Sequence, residues 1–179
     1  MLEKLTDNNV ILERLKQSDS KAVYQAVLES FAEISPWLSW LNASYSQESC
    51  DEFIQLQIQN WQNNIEYTYA IKNLTGEIMG MIDLYLFDTQ NDVACVGYWM
   101  NTKFIGRGLC TQALKLIIKN ALVPLNLIRI ELLVGTNNHA SQRVVTKAGG
   151  IFEAVLKNRL RLNGLAVDAN MYSFTHEKV

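Results

Sequence analysis

Hydrophobic and polar positions along the 179-residue chain recur in two rhythms, which divide it into an ordered series of short elements. Residues 10–15 (Val10-Ile11-Leu12-Glu13-Arg14-Leu15) read as a strand, and residues 18–30 as a helix with a serine available to cap it. An aromatic loop, Pro36-Trp37-Leu38-Ser39-Trp40-Leu41, separates that helix from a second over about residues 47–63. Residues 66–72 and 77–87 alternate and are joined by Asn73-Leu74-Thr75-Gly76, a hairpin signal. A polar turn over 88–92 then leads into a strand over 93–100. An amphipathic helix is expected over 108–122, stopping before Pro124. A strand over 128–134 and a helix over 139–148 follow, the helix ended by Gly149-Gly150. Two last strands, 152–160 and 166–175, pair across Asn163-Gly164. No internal repeat, linker or low-complexity segment interrupts the series. One α/β domain with a mixed sheet, spanning residues 1–179, accounts for it.

The stretch richest in chemistry is Gly97-Tyr98-Trp99-Met100 followed by Ile105-Gly106-Arg107-Gly108-Leu109-Cys110-Thr111. It reads as a strand, a glycine-bracketed turn and a helix start. Such a turn leaves several backbone N–H groups pointing at one spot, with the positive end of the helix dipole behind them. That is a cradle for an anion such as a pyrophosphate. A dinucleotide-binding motif would want a third glycine where Thr111 stands. It would also want an acidic residue ending its strand, whereas Glu131 sits inside the run Ile128 to Val134.

The six positions Ile105 to Cys110 resemble instead the Q/R-x-x-G-x-G/A pyrophosphate loop of the Gcn5-related N-acetyltransferases (GNAT), which bind acetyl-coenzyme A. Ile105 stands where Gln or Arg is usual and Cys110 where Gly or Ala is usual. The family's contacts there are largely backbone N–H groups, and Arg107 adds charge at the rim. The second half extends the resemblance through Leu125-Asn126-Leu127-Ile128-Arg129-Ile130-Glu131, Asn138-His139-Ala140-Ser141, Lys147-Ala148-Gly149, Asn163-Gly164, Asp168 and Tyr172-Ser173. Together with the loop Pro36 to Leu41, these resemble the RimJ/RimL branch, the ribosomal-protein N-terminal alanine/serine acetyltransferases. The resemblance implies a mostly antiparallel, twisted sheet that splays at its centre between the strands 93–100 and 128–134, with flanking helices. It also implies acetyl-CoA as donor, a homodimer, and a protein N-terminus as acceptor.

Bulk properties agree. The length suits one domain with a sizeable core. A hydrophobic content of 49% with 19% charged residues is ordinary for a globular protein. A formal net charge of −2 gives no basic surface for nucleic acid. No apolar run is long enough to span a bilayer, so no membrane partner is expected. Cys50, Cys95 and Cys110 make neither a disulfide framework nor a metal site, which suits a reducing cytoplasm. His139 and His176 leave zinc almost without ligands, and no metal is expected.

Within the resembled fold, pantetheine lies in the gap and pairs with the first strand. N–H groups near Gly97 and Tyr98 then polarise the thioester carbonyl. Trp99 belongs to the same stretch but also reads as core. Ser141 is the proton donor for the departing thiolate, or merely a residue bonding at a helix start. Asn138 caps that helix and holds the coenzyme arm. Relatives outside the branch use a tyrosine where Val145 stands. The general base is missing: Cys95 and Leu160 occupy slots that carry carboxylates in relatives. Of the carboxylates left, Glu66 is expected exposed at a strand start, Glu131 paired with Arg129 or Lys119, and Asp83 either outward or facing the cleft. A protein α-amine tolerates a weak base, because its pKa is about 7.7–8.0 against about 10.4 for lysine. Trp37 and Trp40 sit where the branch closes over the acceptor, or plug the core against the cradle helix. Asp168 organises the last hairpin or faces the acceptor. Gly150 replaces a usual phenylalanine, whose space Phe152 is expected to fill. Cys110 is oxidisable or simply a quiet small residue. Two readings compete with N-terminal acetylation: a small-amine acetyltransferase, and a catalytically silent acyl-CoA-binding module.

Overall fold

A computed structural model describes residues 1–175, so His176 lies outside the described residues. The eight strands are β1 (Lys4–Thr6), β2 (Ile11–Arg14), β3 (Tyr67–Lys72), β4 (Ile78–Asp88), β5 (Val93–Met100), β6 (Arg129–Gly135), β7 (Ile151–Leu162) and β8 (Leu165–Thr175). They form one sheet in the order β1-β2-β3-β4-β5-β6-β8-β7. The helices are α1 (Ser20–Glu29), α2 (Phe31–Ile34), α3 (Gln47–Gln62), α4 (Leu109–Ala121) and α5 (His139–Ala148). Every adjacent strand pair is antiparallel except β5 and β6. The expected single α/β domain with a mixed sheet is therefore what forms. β1 and α2 have no counterpart in the hydrophobic pattern, being only three and four residues long.

The parallel pair sets up the site. β5 meets β6 only over Val93↔Arg129, Ala94↔Ile130 and Cys95↔Glu131. Beyond that rung the strands diverge, leaving 96–100 and 132–135 unpaired with each other. β6 remains fully paired to β8 on its other side, from Arg129↔Thr175 to Gly135↔Ala169. The sheet therefore has an internal gap at its middle.

The two faces differ. Tyr69, Ile82, Leu84, Val96, Ile130, Leu132 and Phe174 join Leu114, Ile117 and Val145 in the main core, so α4 and α5 cover this face. Ala70, Met81 and Trp99 point the other way and pack with Val23, Val27, Cys50 and Ile54 of α1 and α3. That second core covers only part of its face.

Local chemistry explains most boundaries. Ser46 caps α3, its hydroxyl accepting from the Ser49 N–H at 3.2 Å. The expected serine cap on the first helix is not made: Asp19 occupies that position without a capping bond, and its Oδ2 accepts from the Lys16 N–H at 3.0 Å. A bulge at Met79 shifts the β3–β4 register, so Lys72 pairs with Ile78 and Ile71 with Gly80. Gly80 is required there, since a Cβ would lie 2.2 Å from the Trp99 carbonyl oxygen. Phe152 does not fill the space beside Gly150. Val145 and Phe174 already crowd it, with a Cβ at Gly150 meeting Val145 Cγ1 at 2.5 Å, and Phe152 stays half exposed, edge-on to Tyr172.

Candidate active site

On the α4–α5 side, the chain leaves β5 through the buried Asn101, whose Oδ1 accepts from the Lys103 N–H at 2.9 Å. It then turns through Gly106 and Gly108, with φ of +76° and +74°. Only glycine adopts this left-handed backbone readily, and a Cβ at either position would meet nothing within 4 Å. The turn is open on its outer side. Ile105, Gly106, Arg107 and Gly108 are exposed, and Leu109, Cys110 and Thr111 form the first turn of α4. The Arg107 guanidinium lies over the Phe104 ring at 5.8 Å, at the rim. Burial pushes the Cys110 thiol up to about 12, which keeps it protonated at neutral pH.

Across the gap, Asn138 caps α5 by accepting from the Ser141 N–H at 3.0 Å. Ser141 is therefore not the capping group, and its hydroxyl serves another partner. The Tyr98 hydroxyl lies 2.9 Å from Ser141 Oγ and 3.2 Å from the Ser141 carbonyl oxygen. This contact bridges β5 and α5 where the strands have parted. Burial raises the Tyr98 hydroxyl pKa, so it remains a proton-bearing donor. Sequence reasoning placed Tyr98 here through its backbone and missed its hydroxyl. The signal was present: Val145 leaves the usual tyrosine position empty, and Tyr98 is the hydroxyl-bearing aromatic residue on the facing strand.

The other side of the gap is polar. Asp83 sits opposite Gly97 in the β4–β5 register, and a Cβ at Gly97 would meet Asp83 Oδ1 at 2.9 Å and Tyr85 Cε1 at 3.3 Å. Asp83 thus faces the cleft and does not point outward. Glu66, expected exposed, is half-buried, accepts from Asn60 Nδ2 at 3.3 Å, and faces Asp83 carboxyl to carboxyl. Burial pushes the Asp83 carboxyl well above the usual carboxylate range, and the charge and hydrogen bond of Glu66 push the same way. The N–H groups of Asp83 and Gly97 oppose them. Glu131 is committed elsewhere, accepting from Arg129 Nε at 2.7 Å.

Trp37 reaches this side of the gap from the aromatic loop, its ring 3.4 Å from where a Cβ on Gly135 would stand. Trp40 is not a plug against α4. It is 47% exposed, stacked with Phe53, at the mouth of a pocket of about 160 Å³ lined by Val23, Val27, Tyr45, Ser49, Met81 and Trp99. The Trp99 side chain is buried in the second core, so only its backbone borders the gap. Asp168 takes the structural role: its carboxylate accepts from Lys157 Nζ at 2.7 Å and the Asn158 N–H at 2.9 Å, fastening the β7 bulge to β8. Leu160 stands in that hairpin, paired with Val167.

Residues 9–151 match the model of the acetyltransferase (GNAT) domain. The chain belongs to the GNAT family. The ribosomal-protein-serine acetyltransferase of Escherichia coli is 25% identical to it and covers 90% of both chains. Among solved structures, RimL, a ribosomal L7/L12 α-N-protein acetyltransferase in complex with coenzyme A, superposes with a TM-score of 0.90. It is 25% identical, and the match covers 97% of this chain and 98% of that one. The microcin C7 self-immunity acetyltransferase MccE, solved with acetyl-CoA and AMP, shares the fold at a TM-score of 0.89 and 22% identity, over 95% of this chain and 94% of that one.

This GNAT acetyltransferase is accordingly an enzyme that transfers acetyl from acetyl-CoA to an amine. Its residues fit that donor. The turn at Gly106 and Gly108 leaves free space beside bare backbone, and the unpaired edge of β5 beyond Cys95 offers a partner to an extended pantetheine arm. No helix among the described residues is long and apolar enough to cross a membrane.

Proposed function

We propose that the acceptor is the free N-terminal α-amine of a protein, a ribosomal protein being the first choice. The observation that carries this reading is the shape of the acceptor side. Asp83 and Glu66 supply negative charge beside Gly97, where a cationic amine would arrive. The apolar pocket beneath Trp40 opens two residues further along the same face, floored by Met81 and Trp99. At about 3.3 Å per strand residue, that pocket is about 7 Å from the amine position, the reach of a neighbouring side chain in a peptide. The Escherichia coli relative's name supports a ribosomal acceptor. Such an acceptor sets the reaction in the cytoplasm.

In this reading Ile105, Gly106, Arg107, Gly108, Leu109, Cys110 and Thr111 hold the pyrophosphate through backbone N–H groups and the α4 dipole. N–H groups of β5 near Gly97 and Tyr98 polarise the thioester carbonyl, and Asn138 fixes the start of α5 beside the coenzyme arm. The hydroxyls of Ser141 and Tyr98 deliver a proton to the sulfur as it leaves. Trp37 and Trp40 border the acceptor. The amine attacks directly, so no covalent enzyme intermediate forms.

The test is thiol release from acetyl-CoA with purified protein and a panel of acceptors. The panel holds peptides beginning with Ser or Ala, the same peptides with blocked N-termini, and free polyamines. Turnover confined to free N-termini is expected. Turnover confined to small amines would replace this reading, the compact pocket beneath Trp40 then holding the whole acceptor.

A further inference from the structure

We infer that the Asp83–Glu66 carboxyl pair is the general base of this enzyme, standing in for the carboxylates absent at Cys95 and Leu160. The inference rests on the acetyl-transfer reading and adds the group that removes the amine proton. Asp83 lies on β4 directly across from Gly97, and Cys95, the vacated slot, pairs with Tyr85 two rungs along the same ladder. The carboxylate has in effect crossed to the neighbouring strand while staying on the same face, at the same end of the gap. Its Oδ1 stands 2.9 Å from where a Gly97 side chain would begin, so glycine there keeps the carboxyl open to the backbone that borders the thioester. Glu66 approaches from the start of β3. It is steadied by Asn60 of α3, and the nearby Gln57 accepts from Thr68 at 3.1 Å.

Other ionisable groups act on the pair or on the residues beside it. They are Tyr85 on β4, Cys95 on β5, Glu131 on β6 (held by Arg129), and the exposed Arg159 on β7, whose positive charge acts on Tyr85 and Cys95. Burial and neighbouring negative charge raise both the Tyr85 hydroxyl and the Cys95 thiol, which keeps them protonated and unfit to act as bases. Two carboxyls in contact hold one proton between them more firmly than either would alone. The pair without that proton is therefore a stronger base than an isolated surface carboxylate.

The proton balance follows. Asp83 accepts one proton from the acceptor ammonium, and Glu66 shares it. The neutral amine then forms the C–N bond to the acetyl carbon as the C–S bond breaks. Sulfur receives a proton through the Tyr98 and Ser141 hydroxyls, and that relay is refilled from solvent as the amide nitrogen sheds its remaining surplus proton to water, so these two transfers cancel. Asp83 finally releases its proton to solvent, one proton being liberated per turnover. Asp83 is the group that meets the amine; Glu66 acts through it as a positioning residue.

Two measurements test this. In Asp83→Asn, kcat/KM for the acceptor should fall by about 10²-fold, the usual share of a general base, and the acidic limb of the pH profile should disappear. Coenzyme A affinity and the unfolding temperature should stay at their original values. Retention of both kcat/KM and the acidic limb would overturn the inference. Glu66→Gln covers the case in which Asp83→Asn does not fold: removing the negative neighbour lowers the Asp83 pKa, so the acidic limb should move to lower pH, and an unmoved limb overturns the pair. The second measurement needs no acceptor. The Asp83 carboxyl carbon, followed by ¹³C NMR in the coenzyme A complex, should titrate well above the ordinary value of about 3.9 and move down in Glu66→Gln. Titration in the ordinary range, unaffected by Glu66→Gln, would overturn the inference. Because this resonance is independent of turnover, it decides for or against the pair even if every free N-terminus fails as a substrate, an outcome that would refute the proposed acceptor alone.

Discussion

The two sides of the gap between β5 and β6 are built on different principles. The α4–α5 side uses backbone: glycines at positive φ, free N–H groups, a helix start and a capped helix facing it. The far side uses side chains drawn from several strands and a loop, with Asp83, Glu66, Tyr85, Cys95 and Arg159 around an aromatic border. Backbone recognition tolerates substitution, which is why Ile105 and Cys110 can depart from the family pattern while the turn keeps its geometry. Side-chain recognition does not, and in the proposed mechanism the carboxyl lost at Cys95 and Leu160 is supplied by Asp83 on the neighbouring strand. In the proposed reading, one side holds the shared donor and the other meets the acceptor.

Variants on each side should separate these roles. The largest effect outside Asp83 is expected from Tyr98→Phe combined with Ser141→Ala, which should lower kcat by about 10²-fold while leaving coenzyme affinity within about threefold. Each single change should cost nearly as much as the double, because the two hydroxyls form one relay; additive losses in single-turnover kinetics would break that view. Next comes Gly108→Val. A left-handed φ costs a side chain about 1–2 kcal/mol, so coenzyme affinity measured by calorimetry should weaken by about tenfold, with acceptor preference unchanged. Trp40→Ala should act on the other side alone, raising KM for peptides a few-fold and shifting stability by only about 0.5 kcal/mol, since the ring is 47% exposed. A matched loss of coenzyme affinity would sink the assignment of Trp40 to the acceptor.

The smallest effect on activity is expected from Asp168→Asn. Its carboxylate is held below the usual carboxylate range by Lys157 and the Asn158 N–H. A folded-state pKa below the unfolded one adds stability that is present above the unfolded pKa and lost as pH falls through the folded one. The difference in unfolding temperature between Asp168→Asn and the original protein should therefore shrink towards acid pH, with kcat unchanged throughout.

Much of the fold was legible because its strands and helices carry clean periodicities and end at glycine, proline or a cap. β1 and α2 were not, because neither is long enough to show a period. The coenzyme side was legible for a related reason: a turn's glycines and the helix start after it are neighbours in the chain. The carboxyl pair was hidden by one residue. Counting back along the hairpin from Lys72↔Ile78 without a bulge sets Asp83 opposite Tyr67, on the face that α4 and α5 cover. The bulge at Met79 moves it opposite Thr68 and onto the open face. Nothing in the alternation of 77–87 announces that insertion. Gly80, pressed against the Trp99 carbonyl, was the only local sign. The plug reading of Trp40 was the alternative that failed, because a large aromatic side chain in a short loop reads as core until its neighbours are known.

Among the described residues, three register pairs of parallel strand, with the Ile128 N–H to Asp92 carbonyl bond beside them, join the β1–β5 half of the sheet to the β6–β8–β7 half through backbone. The molecule is in this sense a book whose two covers share a short spine. The Tyr98–Ser141 contact and the shared core beneath α4 and α5 add side-chain contacts to that spine. A donor whose arm lies along the open margin of β5 would add rungs that the chain itself lacks. At a hundred times its dissociation constant it would also stabilise the whole by about 2.7 kcal/mol. Amide exchange along residues 96–100 should then slow more on coenzyme binding than exchange along β3, which already has partners on both sides.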